Sequence, residues 1–201
     1  MATETDVANM ALSHLGVGIE IQDLESESSQ QAQVCRRFFG IARDKALADC
    51  PWPFAKAFAT LGLVAEDPIE EWSFSYRIPA DSLVIRRLRS GQRRDSESTS
   101  VPFATGQDGS GALLFTDQTP CDIEYTKRIE DSQRWDVDFS TALSYLLASY
   151  IAPRIAAGDN TGLTRRCYEL YVAETNRAMA TILNGERHDL LPPSSFARAR
   201  E

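Results

Sequence analysis

The chain has 201 residues, 43% of them hydrophobic, and its net charge is -8 at pH 7. That length fits one domain, or one domain with an inserted subdomain, and is enough to bury a substantial core. The acidic balance argues against free DNA or RNA as the main partner, because binding phosphates requires clustered Lys and Arg. No apolar run approaches the ~18 residues that a membrane-spanning helix needs, so we expect no membrane partner.

The N-terminal stretch MATETDVANMALSHLG has acids where a signal peptide has basic residues, so we expect no secretory leader. The cysteines are scattered and never form a CxxC pair, whereas the disulfide framework of a secreted protein is denser. We therefore expect reduced thiols in a cytoplasmic protein at all four cysteines, which are Cys35, Cys50, Cys121 and Cys167.

Two helices are predicted before residue 50. The first covers residues 3–15, and its apolar face consists of Val7, Ala8, Ala11, Leu12 and Leu15. The second starts at Ser26 or Ser28 and runs to about Asp49, with apolar residues spaced by three and four. These residues are Ala32, Cys35, Phe39, Ala42 and Ala46, with Val34, Phe38 and Ile41 widening the apolar face.

The pattern changes at CPWPFA, residues 50–55, where two prolines flank Trp52. Each proline disfavours helical geometry at the residue before it, so the second helix must end here. The chain then alternates between apolar and polar residues, which predicts β-strands. The predicted strands are AFATLGLV, EWSFSYRIP, SLVIRRLR, VPFAT, ALLFTD and CDIEYTKRI, with a hairpin turn at GQDGSG, residues 106–111.

Helical periodicity returns at Trp135, and Pro153 is expected to kink or end this third helix. A fourth helix is predicted over 161–184, with Gly185 as its C-terminal cap. Its inward-facing residues should be Leu163, Cys167, Leu170, Tyr171, Ala178 and Ile182.

This order of elements predicts an α+β fold. Helices from the N- and C-terminal parts form an antiparallel helical bundle, into which an antiparallel β subdomain is inserted. The expected boundaries are 1–54 for the N-terminal helices, 55–130 for the β subdomain, 131–185 for the C-terminal helices and 186–201 for an extended C-terminal tail. Trp52 and Phe54 would then wedge between bundle and sheet at the corner where the chain leaves the bundle.

The sequence offers few candidates for catalysis or for a cofactor. Neither His14 nor His188 has a Cys or His partner at metal-ligand spacing, so we expect no zinc site and no cofactor. We interpret His14 as a packed or surface histidine. GQDGSG lacks the Gly-Lys-Ser/Thr ending of a phosphate-binding loop and precedes a strand, which favours a plain turn.

Two carboxylate pairs could stand at the spacing that glycoside hydrolases use, namely Glu70 with Glu71 and Asp136 with Asp138. A solvated acidic loop and acids favoured by a helix N-terminus are the simpler interpretation of both pairs.

One basic run, RRLRSGQRR, contains Arg86, Arg87, Arg89, Arg93 and Arg94. It is either a solvent-facing strand and loop, balanced by the nearby Asp95 and Glu97, or a surface that docks an acidic protein at a subunit or tail-protein interface. Direct DNA binding is disfavoured because no aromatic residues are interleaved with the arginines.

The C-terminal tail combines apolar residues with prolines and arginines in a segment too short to bury them locally. Such segments often become ordered on a partner, although a frayed terminus is the alternative. The residues concerned are Leu190, Leu191, Pro192, Phe196, Arg198 and Arg200.

Several motifs occur in an order that resembles the head-to-tail adaptor (connector) family of tailed bacteriophages, the tail tubular protein A group. An Ala-Leu-x-x-Leu-Gly opening at 11–16 precedes a helix start at Ser26 and Glu27. The match in detail covers about the first 85 residues, and the order of elements fits to about residue 184. The later motifs are the Arg43–Asp44 pair, a Trp-x-Phe-Ala corner at Trp52, Phe54 and Ala55, and Tyr-x-x-Pro-x-Asp at Tyr76, Pro79 and Asp81.

The resemblance implies a structural virion protein without enzymatic activity. Adaptors of this family form a dodecameric ring beneath the portal, which extends the DNA channel and docks tail proteins. The implied partners are the portal protein, a tail or nozzle protein and further copies of the chain, with DNA only passing through the channel. The implied location is the neck of the virion, after assembly in the host cytoplasm.

The resemblance also implies residue roles. It assigns portal binding to the C-terminal tail and structural roles at the corner to Trp52, Phe54, Tyr76 and Pro79. Two other functions stay open: a tail-associated cell-wall hydrolase that uses a carboxylate pair, and a small helical regulator or scaffold.

Overall fold

The computed structural model describes residues 2–69, 71–91, 100–156 and 161–186. These residues form a mixed α+β structure with helices at both ends of the described chain and two antiparallel sheets between them. The helices are α1 (Glu4–His14), α2 (Gln30–Asp49), α3 (Val137–Ile155) and α4 (Thr161–Glu186). The strands are β1 (Lys56–Thr60), β2 (Leu63–Ile69), β3 (Trp72–Arg77), β4 (Ser82–Arg89), β5 (Ala104–Asp108), β6 (Gly111–Thr116) and β7 (Asp122–Lys127).

Side-chain caps fix where the first two helices begin. The Thr3 hydroxyl accepts from the Asp6 backbone N–H at 3.1 Å, and the Asp6 carboxylate accepts from the Thr3 N–H at 2.8 Å. This reciprocal pair is a capping box, which satisfies two donors that would otherwise lack partners. Ser29 caps α2 in a simpler way, because its hydroxyl accepts from the Ala32 N–H at 3.2 Å.

α3 is the central helix of the helical core. The helices α1, α2 and α4 all pack against it, and its buried residues lie on every side of the helix. Its buried serines are accommodated because their hydroxyls donate to carbonyls one turn earlier, as Ser149 does to Leu146 at 2.7 Å. The all-round apolar character of α3 therefore follows from its position inside the core.

Several sequence predictions about the helices are wrong in detail. Ile41 and Leu170 were expected inside, yet their exposures are 63% and 37%. Pro153 does not end α3 at that point, because the helix continues to Ile155 and the Ala156 N–H still bonds the Ala152 carbonyl at 3.0 Å. Gly185 is not a cap, since α4 runs through it to Glu186.

The strands form two sheets, with orders β1-β7-β4 and β2-β3-β6-β5. The predicted strand AFATLGLV is two strands, β1 and β2, which belong to different sheets. The break lies at Leu61 and Gly62: the Leu61 N–H bonds the Cys121 carbonyl at 2.8 Å, whereas the Gly62 carbonyl accepts from the Arg77 N–H at 3.1 Å. The chain thus changes sheets within two residues.

The hairpin predicted at GQDGSG is confirmed. β5 and β6 pair antiparallel with Asp108 opposite Gly111, which leaves a loop of Gly109 and Ser110. The Arg77 guanidinium of β3 binds the Asp108 carboxylate with two hydrogen bonds of 2.7 and 2.8 Å, so it fixes the end of this hairpin against the sheet.

Two buried clusters account for the interior. The larger lies among the helices, and the smaller lies between the sheets and contains Leu61, Tyr76, Leu88, Leu114, Cys121, Ile123 and Tyr125. Within the described ranges, no helix is both long and apolar enough to cross a membrane.

Candidate interaction surface

The arginines of the basic run on β4 have three different environments. Arg86 points toward the end of α2, where its guanidinium donates to the carbonyls of Ala48 at 2.8 Å and Cys50 at 3.0 Å. Its Nε also donates to the Thr126 hydroxyl at 2.8 Å. These bonds occupy Arg86 inside the molecule, where it caps the C-terminus of α2.

Arg87 and Arg89 lie on the outer face of the sheet β1-β7-β4. Arg87 forms an ion pair with Glu124 at 2.7 Å, and Lys56 approaches the same carboxylate at 3.4 Å. The side chain of Glu124 is only 8% exposed, so the two cations balance a nearly buried charge. Arg93 and Arg94 lie outside the described residues.

Arg89 has no carboxylate partner among the described residues. Its guanidinium carbon instead lies 5.4 Å from the centroid of the Phe58 ring on β1, a cation–π arrangement. Phe58 itself is 58% exposed, although it is a large apolar side chain in the middle of a strand. The two residues border a shallow cleft of about 280 Å³, which Thr60 and Asp122 also line.

We call this surface the Phe58–Arg89 face. It combines an exposed aromatic ring, an Arg without an acidic partner in the described chain, and the two ion pairs that Glu124 forms with Arg87 and Lys56. Arg and aromatic residues are enriched at protein interfaces, and both are common among the side chains that dominate binding energy. The face consists of Lys56, Phe58, Thr60, Arg87, Arg89, Asp122 and Glu124.

The sequence indicates a role for the arginines but not for Phe58 and Glu124. Their signal was the alternation along β1 and β7, which places every second residue on one face of a sheet. The pairing of β1 with β7, which sets Phe58 opposite Glu124, is a long-range contact that local alternation does not reveal.

The residues predicted for the corner divide between the two clusters. Trp52 and Phe54 lie in the helical core, where both rings pack against Phe139 of α3 with centroid distances of 5.3 and 5.2 Å. The Trp52 indole N–H donates to the Ala46 carbonyl at 2.8 Å, so the ring is tied to the end of α2. Tyr76 lies instead between the sheets, and its hydroxyl donates to the Gln118 carbonyl at 3.0 Å.

Pro79 lies between β3 and β4. Its carbonyl accepts from the Ser82 N–H at 3.0 Å, which makes it part of the turn that leads into β4. Trp52 and Phe54 thus lie at the exit from α2, whereas Pro79 lies in the connection between β3 and β4.

Asp136 and Asp138 flank a cleft of about 200 Å³ that Trp52, Val137 and Ile182 also line. Asp138 pairs with Arg177 of α4 at 3.2 Å. Desolvation by the cleft wall, followed by repulsion from Asp138, raises the pKa of Asp136 above its ordinary value. Glu70, a member of the other predicted pair, lies outside the described residues, and Glu71 is exposed.

His14 ends α1 and is half-buried against α3. Its ring stacks on Tyr145 at 4.1 Å, and its Nε2 lies 3.0 Å from the Ser144 hydroxyl. Because that hydroxyl donates its proton to the Thr141 carbonyl, the Nε2 of His14 is the donor in this contact. Burial lowers the pKa of His14, and the described ranges hold no group of three or more His, Cys, Asp or Glu residues arranged to bind a metal.

The thiols of all four cysteines are buried. Burial raises the pKa of Cys35 to about 12 and the pKa values of Cys50 and Cys121 to about 11, which disfavours the reactive thiolate. His188 and the residues predicted to bind a portal, which begin at Leu190, lie outside the described residues.

Comparison with known proteins gives no assignment. No protein-family model matches the chain, and a search of curated proteins finds no match to it.

Proposed function

We propose that this chain is a head-to-tail adaptor of a tailed bacteriophage, a structural protein that forms a ring between portal and tail. In this proposal the helices form the bundle that carries the inserted sheets, and the C-terminal tail docks on the portal. The virion neck is the proposed location, and the ring extends the DNA channel.

One observation carries the proposal: residues from separate motifs of the resemblance meet at a single residue. Arg128 follows β7, and its side chain donates to the Asp44 carboxylate at 2.9 Å. The backbone N–H of the same residue donates to the Asp81 carbonyl at 2.8 Å. Asp44 and Asp81 belong to different motifs, so their convergence supports reading the motifs as parts of one structural unit.

The neighbouring motif residues lie at the same boundary between helices and sheets. Arg43 forms an ion pair with Asp44 at 3.0 Å and reaches Glu130 at 3.3 Å. The Trp52 ring fixes the exit from α2 to β1. The Arg43–Asp44 pair and the Trp52 motif of the resemblance therefore both lie where the helices lead into the sheets, which supports the proposal.

The proposal is tested by measuring molar mass by light scattering on a sizing column, for the chain alone and after mixing with the portal protein of the same genome. We expect the mixture to elute as a complex whose mass corresponds to the portal plus a full ring of this chain. A chain that never joins the portal would overturn the adaptor function and would favour the regulator.

The C-terminal tail gives a sharper prediction. Deleting 186–201 should leave the helical core folded, because the described residues that form this core all precede residue 186, and it should abolish portal binding. The matched control is the full chain with Ser194→Ala and Ser195→Ala, which keeps the apolar and basic residues of the tail and should still bind. Equal binding by the truncated chain would remove the docking role of the tail.

Cell-wall hydrolysis is the second candidate, and the cleft between Asp136 and Asp138 is the observation that favours it. The pKa of Asp136 is raised, whereas Asp138 is ion-paired with Arg177. Glycoside hydrolases use a similar pair, in which one carboxyl group acts as the acid and the other as the base or nucleophile. Clearing of a peptidoglycan suspension by the wild type, with loss of clearing in Asp136→Asn, would establish this activity and contradict a purely structural role.

A further inference from the structure

The loop between α1 and α2 is an exposed acidic segment. It contains Glu20, Asp23, Glu25 and Glu27 without a Lys or Arg, and we call residues 19–27 the acidic loop. Glu20, Asp23 and Glu25 are exposed, as is the apolar side chain of Ile19 at 56%.

The acidic loop is held rigid by bonds to its backbone. The Asn9 side chain exchanges two hydrogen bonds with Ile21, at 2.9 and 2.8 Å. Arg36 donates to the carbonyls of Leu24 and Glu27 rather than to a carboxylate, so it positions the loop while the side chains of Glu20 and Glu25 stay exposed. A loop fixed in this way loses little conformational entropy when it binds.

Hydrogen bonds within the loop favour the charged forms of Asp23 and Glu27. The Ser26 hydroxyl, together with backbone N–H groups, lowers the pKa of Asp23, and hydrogen bonds from Ser29 and the Gln22 N–H lower the pKa of Glu27. The Phe58–Arg89 face offers the opposite chemistry: a guanidinium without an acidic partner in the described chain, beside an exposed ring.

The two surfaces lie at opposite ends of α2. The acidic loop leads into its first turn, whereas β4 approaches its last turn through Arg86. The 20 residues of α2 rise about 30 Å. The bonds from Arg36 hold the acidic loop beside the first turns of α2, so most of the length of the helix separates the loop from the Phe58–Arg89 face of the same copy.

We infer that the acidic loop of one copy docks on the Phe58–Arg89 face of a second copy. Glu20 and Glu25 supply carboxylates for Arg89, and Ile19 supplies apolar contact for Phe58. Because two different surfaces meet, the contact is heterologous, and repeating it produces a ring when the rotation closes. This inference rests on the proposed function, since it describes how the ring of that proposal is joined.

The test is self-association measured by analytical ultracentrifugation, with the complex on the portal as the second readout. Arg89→Glu should weaken self-association at least about 30-fold, the effect expected for a residue that dominates an interface. Arg37→Glu is the matched control, because it makes the same charge change at an exposed position of α2 and should have little effect. Raising NaCl from about 0.1 M to about 1 M should weaken association of the wild type, because the Debye length falls from ~10 to ~3 Å.

A charge exchange makes the assignment specific. Glu20→Arg with Glu25→Arg should impair association as Arg89→Glu does, and the chain that carries all three changes should recover it. Recovery excludes misfolding as the cause of the single defects. No loss with Arg89→Glu, or loss without recovery in the triple variant, would overturn the inference.

The outcomes separate this inference from the proposed function. Rings on the portal that form equally well with Arg89→Glu would leave the adaptor standing and remove this contact. Self-association that requires both surfaces, in a chain that does not join the portal, would keep the contact and remove the adaptor. A wild type that neither self-associates nor joins the portal would overturn both.

Discussion

Arg86 lies where a strand meets a helix end, and it satisfies groups from both. The last carbonyls of any α-helix lack partners within the helix. At the C-terminal end of α2, the guanidinium of Arg86 donates to the carbonyls of Ala48 and Cys50. We predict that Arg86→Met lowers the free energy of unfolding by about 2 kcal/mol, the range for hydrogen bonds to charged groups. Urea denaturation followed by circular dichroism measures this.

The control for that substitution is Arg37→Met on the exposed surface of α2. A surface position of this kind should change stability by no more than about 0.5 kcal/mol. Equal effects at the two positions would show that Arg86 acts through its general charge and not through its bonds to the carbonyls.

At the scale of an element, the hairpin of β5 and β6 depends on a close contact between a glycine and an aromatic ring. A Cβ built at Gly106 would lie 2.8 Å from Cε2 of Phe115, closer than real side chains allow. Gly106→Ala should therefore destabilise the protein by about 1–3 kcal/mol. Thermal unfolding of Gly106→Ala, Phe115→Leu and the double variant measures the coupling.

We expect Gly106→Ala to destabilise the protein less when residue 115 is already leucine, because the smaller side chain leaves room for the added methyl group. Gly109→Ala is the control in the same hairpin, because a Cβ there meets nothing within 4 Å. Additive effects of Gly106→Ala and Phe115→Leu would mean that the ring moves aside freely.

The helices and the hairpin were predictable from the sequence, whereas the arrangement of the strands in two sheets was not. Helix periods and the GQDGSG turn are local signals, and all four predicted helices and the hairpin are present in the described chain. The division of AFATLGLV between two sheets is not a local signal, because it is decided by hydrogen bonds from Leu61 to Cys121 and from Arg77 to Gly62. Similarly, Ile41 fits the apolar period of α2 and is still exposed, since a helix buries only the side that its neighbours cover.

The candidate surface was predictable only in part, for the same reason. The arginines of β4 were visible in the sequence, but their division into an inward Arg86, a paired Arg87 and a stacked Arg89 depends on the neighbouring β7 and β1. The bulge between Ile85 and Arg87 shifts the pairing of β4 with β7, and strict alternation cannot predict such a shift.

At the scale of the whole molecule, polar contacts join the buried cluster among the helices to the buried cluster between the sheets. Arg86 and the Asp44–Arg128 ion pair connect α2 to β4 and to the segment after β7. Cys35 reports on the helical core and Cys121 on the core between the sheets. We predict that in single-cysteine variants both thiols become reactive at the same urea concentration, because the contacts make unfolding cooperative.

Removing the polar contacts of Arg86 and Asp44 should make Cys35 and Cys121 become reactive at different urea concentrations. With Arg86→Met and Asp44→Ala together, we expect one thiol to react at lower urea than the other, measured with a chromogenic disulfide reagent. Separate transitions in the unaltered chain would contradict the cooperative description, and a common transition after both changes would place the coupling in the apolar contacts instead.

The central place of α3 also affects how the protein is made. Because α1 and α2 pack on α3, their apolar faces stay uncovered until the segment from Cys50 to Asp136 and α3 itself have been synthesised. At elongation rates of about 5–20 residues per second, that interval is on the order of ten seconds. During it, the nascent chain presents an unfinished hydrophobic groove at the ribosome, which makes this protein a candidate client of the chaperones that act there.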